Sequence, residues 1–287
     1  MQTQLIFDAK ATLGEGPVWS AKTQTLFWID ILEKRIYAGA KIIAQLDQYI
    51  GCLSLRPNGT LLTALSDGDG SSSLVNLQVD SSQQSVLATM SESATNRFND
   101  GKCDPAGRFL AGTMAMNESD PTGALYSFDG RQVKKLFGGV TISNGLTWSP
   151  DHKTFYYIDT PTRKIQAFDY DLATGQIANP RVAIRIADTL GWPDGMTSDT
   201  DGNLWIALWG GAQVTKWNPQ TGSLLEQIPV PALQTSSCIF GGKDMNELYI
   251  TSARKGMGEE NLKKYPLSGG VFKVETKATG MPTFEFT

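Results

Sequence analysis

EGPVWSAKTQTLFWID (15–30) is the first of four closely similar passages in this chain. Each passage begins with a side chain that carries an oxygen donor, continues through a short strand and a tight turn, and ends in a strongly apolar strand. The other three are NDGKCDPAGRFLAGT (99–113), NGLTWSPDHKTFYYID (144–159) and DGMTSDTDGNLWIAL (194–208). Recurrence of one supersecondary unit at a period of roughly 20 to 50 residues indicates a repeat architecture.

The repeat has six members when the chain is aligned on the turn and the apolar strand. They start at Glu15, Gly51, Asn99, Asn144, Asp194 and Ser236, so the steps are 36, 48, 45, 50 and 42 residues. A period of about 40 to 50 residues suits one four-stranded blade of a propeller. The sequence therefore predicts an all-β fold, a six-bladed β-propeller with four antiparallel strands per blade, as a single domain over residues 1–287.

The second strand of each unit is rich in β-branched and aromatic residues, as half-buried strands require. These strands read TLFWID (25–30), TLLTAL (60–65), RFLAGT (108–113), TFYYID (154–159), NLWIAL (203–208) and ELYITS (247–252). Asn58-Gly59 and Asp201-Gly202 precede two of them and supply the positive φ that tight hairpin turns need. The fourth strand of the first unit is predicted at AQLDQYI (44–50).

The sixth unit has no clear fourth strand of its own. We predict that TQLIFDA (3–9) completes this sheet as a terminal strand, because such closure joins the two chain ends and removes a free edge. TFEFT (283–287) is the competing candidate. The longest insertion, SARKGMGEENLKKYPLSGG (252–270), is expected to include a short helix and to cover one face.

Composition excludes several classes of function. The net charge is −4 with no basic block, which argues against nucleic-acid binding, and no apolar run approaches the roughly 18 residues of a membrane span. The three cysteines are few and widely spaced, and MQTQLIFDAK lacks the features of a secretory signal, so we expect a cytoplasmic protein with reduced thiols. The only histidine, His152, lies in a predicted turn, so a multi-histidine zinc site is excluded within one chain. We expect a monomer or a weak homo-oligomer.

Oxygen donors begin four of the six units: Glu15, Asn99, Asn144 and Asp194. Equivalent positions of a closed circular repeat converge on its axis, so these side chains are predicted to meet there. Asn-Gly and Asp-Gly are also ordinary turn dipeptides, which is the alternative interpretation. Two carboxylates and two amides in one register are better explained by a hard divalent cation, since Ca²⁺ takes six to eight oxygen ligands and accepts both types.

Such a cation could polarise a carbonyl and lower the pKa of bound water. Asp194 is then the candidate general base, and Glu15 can serve as a ligand. Arg97 lies two residues before Asn99, so the two side chains share one face of a strand near the channel mouth. Asn117 and Glu118, in the loop TMAMNESDPTG, could line the same mouth. A surface arginine and a solvated loop are the alternatives.

Five motifs resemble the senescence marker protein/gluconolactonase/luciferin-regenerating enzyme family, which includes regucalcin-like proteins. They are LGEGPVW (13–19), RFNDGKCDPAGRFLAGTM (97–114), ISNGLTWSPDHKTFYYID (142–159), PDGMTSDTDGNLW (193–205) and FGGKDMNELYITSARKGM (240–257). LWGG (208–211) and YPLSGGVF (265–272) are most similar to the bacterial sugar lactonases. The motifs cover nearly the whole chain, and the family fold agrees with the count of six repeats.

The resemblance implies metal-dependent hydrolysis of a sugar lactone, gluconolactone-, xylonolactone- or arabinonolactone-like, to an aldonic acid. Glu15, Asn144 and Asp194 would bind the metal, and Asp194 would activate the attacking water. Arg97, Asn99, Asn117 and Glu118 would bind substrate. The oxygen donors favour Ca²⁺, but Zn²⁺, Mn²⁺ and Mg²⁺ also serve in the family. Animal members have an acidic residue near Asn117, which leaves the sugar open.

Three other functions remain compatible with the sequence. One is a hydrolase of another ester, such as an organophosphate or an aromatic lactone. Another is a calcium-binding regulatory protein without turnover, against which Arg97, Asn99 and Asp194 together argue. The third is a propeller scaffold for protein partners, which would not need oxygen donors on its axis.

Overall fold

A computed structural model describes residues 2–79, 81 and 83–287. The fold is a six-bladed β-propeller: six sheets, each of four antiparallel strands, are arranged in a ring. In the first five sheets the strand order follows the chain, from the innermost strand outward. Across the described residues, no helix has the length and apolar content needed to cross a bilayer.

The first three blades occupy the N-terminal half of the chain. Blade 1 consists of β2 (Gly14–Ser20), β3 (Thr25–Asp30), β4 (Arg35–Ala38) and β5 (Lys41–Gln45). Blade 2 consists of β6 (Tyr49–Leu55), β7 (Leu61–Ser66), β8 (Ser71–Leu77) and β9 (Gln84–Ser91). Blade 3 consists of β10 (Asn96–Cys103), β11 (Phe109–Ala115), β12 (Gly123–Phe128) and β13 (Val133–Val140). The fourth strand of blade 1 thus begins three residues before the predicted segment 44–50 and shares only Ala44 and Gln45 with it, whereas the last two residues of that segment belong to β6.

The other three blades complete the ring. Blade 4 consists of β14 (Ser143–Trp148), β15 (Thr154–Asp159), β16 (Lys164–Asp171) and β17 (Gln176–Arg185). Blade 5 consists of β18 (Trp192–Ser198), β19 (Leu204–Trp209), β20 (Gln213–Asn218) and β21 (Ser223–Pro229). Blade 6 consists of β22 (Gln234–Gly241), β23 (Glu247–Ala253), β24 (Val271–Glu275) and β1 (Gln4–Phe7). Short 3-10 helices span Thr160–Thr162 and Asp188–Leu190, and the α-helix α1 spans Glu259–Lys264.

Blade 6 is closed by the N-terminal strand, as predicted. β1 pairs antiparallel with β24, with Gln4 opposite Lys273 and Leu5 opposite Phe272. Residues 283–287, the competing candidate, form no strand and instead cross the face of the propeller opposite the site described below. Helix α1 confirms the short helix expected in the 252–270 insertion.

The core lies between neighbouring blades, where the two faces of each sheet are covered by the next sheets. One cluster joins blades 5 and 6 through Trp205, Phe240 and Phe272, all at most 1% exposed. Because a sheet covered on both faces buries successive residues, β7 and β14 are buried along their whole length. The outer strands are more exposed: the first four residues of β9 are exposed, and exposed and half-buried residues alternate in its second half.

A β-bulge interrupts the innermost strand of every blade at the repeat position. The pairing register shifts between Glu15 and Val18 in β2, and between Asn144 and Leu146 in β14. The corresponding shifts in β6, β10, β18 and β22 include Gly51, Asn99, Asp194 and Ser236. The repeat positions therefore lie within strands and not at their starts, and the turn interpretation of Asn144-Gly145 and Asp194-Gly195 is wrong. A bulge re-aims a side chain, here toward the central channel.

Candidate metal centre and active site

A cavity of about 380 Å³ opens at one end of the central channel. All four oxygen donors predicted to converge line it, together with Arg97. Apolar walls are supplied by Leu13, Met114, Ile142, Trp192 and Trp209. A polar floor under apolar walls is typical of small-molecule sites. The circular repeat thus brings side chains separated by up to 179 residues in sequence to one place (194 minus 15).

The Glu15 carboxylate is buried at the bulge of β2. Glu15 is 7% exposed, and its Oε2 atom accepts a hydrogen bond of 2.9 Å from the Gly16 N–H. Burial and the nearby charge of Asp100 together raise the pKa of Glu15 to about 8, although the Gly16 N–H and the charge of Arg97 oppose the shift. Because burial disfavours the charged form of a carboxyl group, a bound cation would stabilise the Glu15 carboxylate in this setting.

The Asp194 carboxylate is the second acidic group of the cavity. It is 6% exposed, and burial holds its pKa well above the usual range, with Glu15 and Asp100 adding to the effect. The adjacent Gly195 lets β18 approach the next blade, while Gly145 does the same for β14. A Cβ on Gly145 would lie 2.7 Å from the Asp194 carbonyl oxygen, so any larger residue there would push β14 away from β18.

The amide of Asn144 is held in one orientation. Its Nδ2 donates to Thr160 Oγ1 over 2.7 Å, and Thr160 Oγ1 in turn donates to the Pro193 carbonyl over 2.8 Å. Because the nitrogen is engaged, the Oδ1 atom is left for the cavity side, where it accepts a hydrogen bond of 3.2 Å from Asn99 Nδ2. An oriented carbonyl oxygen of this kind is a ligand for a hard cation.

Arg97 and Asn99 form a pair, as their i, i+2 spacing predicted. Arg97 is 3% exposed, and its Nη1 donates to Asn99 Oδ1 over 2.7 Å and to the Phe98 carbonyl over 2.8 Å. Asn99 Nδ2 donates to the Ser143 carbonyl over 2.7 Å. Since its oxygen already accepts from Arg97, Asn99 is better suited to orienting Arg97 and Asn144 than to binding a cation. Burial lowers the pKa of Arg97 to about 10, which leaves the guanidinium charged at neutral pH.

Two aspartates brace the strands that carry Glu15 and Asn144. Asp30, at the end of β3, accepts hydrogen bonds from the N–H groups of Thr12 and Leu13 over 2.8 and 3.0 Å. Asp159, at the end of β15, accepts from Ile142 over 2.9 Å and from Thr141 over 3.3 Å. Each therefore fixes the backbone two residues before a site side chain. The repeated endings FWID and YYID are the sequence signal for these two aspartates, whose role was not predicted.

Asp100 and Lys102 are charged groups of the channel that sequence reasoning missed. Asp100 is 8% exposed, and its charge raises the pKa of both Glu15 and Asp194. Lys102 Nζ donates to the Met196 carbonyl over 2.8 Å, and burial lowers the pKa of Lys102. They follow Asn99 in the motif NDGK: Asp100 lies in the bulge of β10, and Lys102 lies just after it.

The two predicted rim residues lie in different surroundings. Glu118 lines the cavity and forms an ion pair with Lys255 from the 252–270 insertion. Asn117 is exposed; its Nδ2 donates to Asp120 over 2.8 Å, and its Oδ1 accepts from the backbone of Ser119 and Asp120. The Asn117 side chain thus stabilises its own turn and does not line the cavity.

The donor set of the cavity fits a hard divalent cation. Glu15 and Asp194 provide carboxylates and Asn144 an oriented amide oxygen, all three almost fully buried. In residues 2–79, 81 and 83–287, no three His, Cys, Asp or Glu side chains lie close enough to hold an ion. A cation here would therefore depend on the Asn144 amide. Oxygen-only donors match Ca²⁺, Mg²⁺ or Mn²⁺ better than softer metals.

Comparison with known proteins identifies the class of this protein. The family model for the SMP-30/Gluconolactonase/LRE-like region matches residues 13–254. Regucalcin of Homo sapiens is 39% identical over 287 aligned residues, which cover 96% of this chain and 94% of the relative. The chain belongs to the SMP-30/gluconolactonase/LRE-like family, and the resemblance found in its motifs is confirmed.

Solved structures of similar proteins share the fold. A calcium-binding protein, regucalcin from Agrobacterium tumefaciens, has a TM-score of 0.91 at 26% identity, covering 99% of this chain and 96% of that one. A gluconolactonase from Xanthomonas campestris has a TM-score of 0.75 at 21% identity, covering 95% and 89%, and is a likeness of fold alone. Family membership supports a function of lactonase or calcium-binding type.

Proposed function

We propose that this protein is a metal-dependent sugar lactonase, a hydrolase that converts an aldonolactone, gluconolactone-, xylonolactone- or arabinonolactone-like, into its aldonic acid. The observation that carries the proposal is the cavity floor, where two buried carboxylates and an oriented amide oxygen lie beside the buried guanidinium of Arg97. A protein that only binds calcium would need the oxygen ligands but not Arg97, whereas an enzyme that acts on a carbonyl substrate would use both.

Glu15, Asn144 and Asp194 would hold one divalent cation. When bound, the cation supplies Lewis-acid polarisation of the lactone carbonyl and lowers the pKa of water. The oxygen donors favour Ca²⁺ for this role, with Mg²⁺, Mn²⁺ or Zn²⁺ as alternatives. Bringing Glu15 and Asp194 together in a narrow channel is costly because like charges repel, and a cation removes that cost.

The protein groups then position substrate and move one proton. Arg97 donates hydrogen bonds to substrate oxygens and is oriented by Asn99, which is itself fixed on the Ser143 carbonyl. Asp194 takes a proton from water as the water oxygen bonds to the carbonyl carbon. The bond from that carbon to the ring oxygen breaks, the ring oxygen takes up the proton that Asp194 received, and the hydroxy acid leaves with Asp194 again ionised. Trp192 and Trp209 reduce access of bulk water from one side of the cavity.

The test is a pH-indicator assay of acid release from a panel of aldonolactones, with spontaneous hydrolysis subtracted. Each lactone is assayed on the chelated protein and after re-addition of each cation. Turnover that disappears on chelation and returns with a metal supports the proposal. Absence of turnover in a preparation with a stoichiometric bound metal would reject it.

A calcium-binding role without turnover is the second candidate, favoured by the same oxygen-only donor set. It predicts tight Ca²⁺ binding by calorimetry together with no rate above background on sugar lactones, aromatic lactones or organophosphates. A cytoplasmic location and a monomeric or weakly associated state remain predictions for fractionation and light scattering.

A further inference from the structure

Lys255 is a cavity residue to which no role has been assigned above. It follows β23 at the start of the 252–270 insertion and lines the same cavity as Arg97 and Asp194. Its ammonium pairs with Glu118, which lies 137 positions away in the loop between β11 and β12. The pair spans the cavity mouth from blade 3 to blade 6.

The ammonium of Lys255 retains donors for a ligand. Its side chain is 31% exposed, and in the part of the chain that the structure describes its only hydrogen bond goes to Glu118. An ammonium carries three N–H groups, so two are available on the cavity side. Burial and, to a smaller extent, the neighbouring charge of Arg97 together lower the pKa of Lys255 to about 8. The side chain is therefore partly desolvated and within electrostatic reach of the cavity floor.

The rim and the floor of the cavity differ in chemistry. At the floor lie Glu15, Asn144, Asp194 and Arg97, which suit the reacting carbonyl. The walls between floor and rim are apolar, so Glu118 and Lys255 are the charged groups placed to contact the far end of a substrate. The Glu118 carboxylate accepts hydrogen bonds and the Lys255 ammonium donates them. Because a hydroxyl group can both donate and accept, the pair is suited to binding two adjacent hydroxyl groups.

We propose that Lys255, together with Glu118, determines specificity by binding the hydroxyl groups of the lactone that lie farthest from the carbonyl. This rests on the proposed lactonase function and deepens it. The preferred substrate class is then a polyhydroxylated lactone with a vicinal diol remote from the carbonyl. An unsubstituted lactone of the same ring size would react without help from the rim.

The kinetic test compares glucono-1,5-lactone with δ-valerolactone, which has the same ring and no hydroxyl groups. Loss of one charge-assisted hydrogen bond predicts that Lys255→Met lowers kcat/KM for the gluconolactone by roughly tenfold to hundredfold, mainly through KM. The rate on δ-valerolactone should stay within about twofold. Lys255→Arg should recover much of the loss because it keeps a donor.

Lys273→Met is the matched control. Lys273 forms a Lys–Glu pair of similar exposure with Glu247 on blade 6, outside this cavity. It should leave both substrates unaffected. An equal loss on both lactones in Lys255→Met would show that the pair merely holds the rim together, and no loss on the gluconolactone would also overturn the proposal.

A binding measurement separates this proposal from the lactonase proposal. Gluconate, the product, is titrated by calorimetry into metal-loaded wild-type protein and into Lys255→Met. We expect affinity to fall by a similar factor whether or not the protein turns over lactones. Equal gluconate affinities, or no binding by the wild type, would overturn the role of Lys255. Binding that depends on Lys255 without turnover would instead reject only the lactonase.

Discussion

The two ends of the central channel are built from the same six strands but differ in almost every property. One end opens into a cavity of about 380 Å³ with buried carboxylates on its floor. The other end retains a space of about 30 Å³, room for one water molecule, and is covered by the C-terminal segment. Met281 N–H donates to the Ser198 carbonyl over 3.1 Å, and Phe286 N–H to the Leu55 carbonyl over 2.9 Å.

The open end of the channel carries the groups for chemistry, whereas the closed end carries packing that stabilises the fold. At the open end, burial raises the pKa of Glu15 and of Asp194, the charge of Asp100 adds to both shifts, and the charge of Glu15 adds to that of Asp194. This arrangement favours function over stability. At the closed end, Phe286 is 2% exposed and stacks on Phe128 with ring centroids 5.3 Å apart. Neutralising Glu15 at the open end and removing the Phe286 ring at the closed end should therefore have opposite signs for stability and unequal effects on activity.

Asp194→Asn should have the largest effect. It keeps the shape and removes the carboxylate that accepts a proton, so we expect lactone turnover to fall by at least about 10³-fold, within the range for loss of a general base. The assay is the initial rate on the best lactone of the panel with saturating metal. Asp201→Asn, in the exposed turn of the same motif, is the control and should match wild type. Near-normal turnover in a folded, metal-loaded Asp194→Asn protein would exclude Asp194 as the base.

Phe286→Ala tests the closed end. Removal of a buried, stacked ring should lower the free energy of unfolding by about 3 to 5 kcal/mol, measured by urea denaturation. The rate per folded molecule should change by less than about twofold, since the cavity lies at the other end. Leu225→Ala, at a residue 51% exposed on an outer strand, controls for the loss of an apolar side chain. A large loss of turnover in folded Phe286→Ala would show that the two ends are coupled.

Glu15→Gln should move stability in the opposite direction. Replacing this buried acidic group by a neutral isostere removes its desolvation cost and its repulsion with Asp100 and Asp194, so the chelated variant should melt at or above the temperature of the chelated wild type. Metal affinity should fall by at least about tenfold, measured by calorimetric titration. Unchanged affinity would contradict the ligand role, and a lower melting temperature without metal would contradict the assigned repulsion.

The sequence predicted the fold well because the repeat carries its own evidence. Six register-matched units gave the six blades, and TQLIFDA gave the strand that closes the last one. The oxygen donors at equivalent repeat positions were also predicted to meet, because such positions of a ring converge on its axis, and all four line one cavity. The bulges that turn these side chains inward were not predicted, since the sequence read as strand starts followed by turns.

Several of the missed features lie outside the repeat, and others depend on side-chain geometry within it. Lys255 lies in an insertion with no counterpart in the other units, so no register related it to the cavity. The path of residues 283–287 depends on contacts with blades 2 and 3 that are distant in sequence, and its β-rich composition suggested a strand instead. Asn99 was predicted among converging oxygens, but its amide is engaged by Arg97 and Ser143, a choice that only side-chain geometry decides.

Asp159→Asn should have the smallest effect and sharpens the contrast within the open end. The amide keeps one acceptor, so one of the hydrogen bonds to Thr141 and Ile142 is lost, and the strand carrying Asn144 is held less firmly. We expect about 1 to 2 kcal/mol lower stability and metal binding weakened by a few-fold. Asp171→Asn is the matched control, because Asp171 also accepts from backbone N–H groups but in an exposed outer turn. Equal metal affinities in the two variants would mean that Asp159 stabilises blade 4 without positioning Asn144. A loss of metal affinity in Asp159→Asn alone would instead show that the position of Asn144 depends on Asp159, which lies on the neighbouring strand β15.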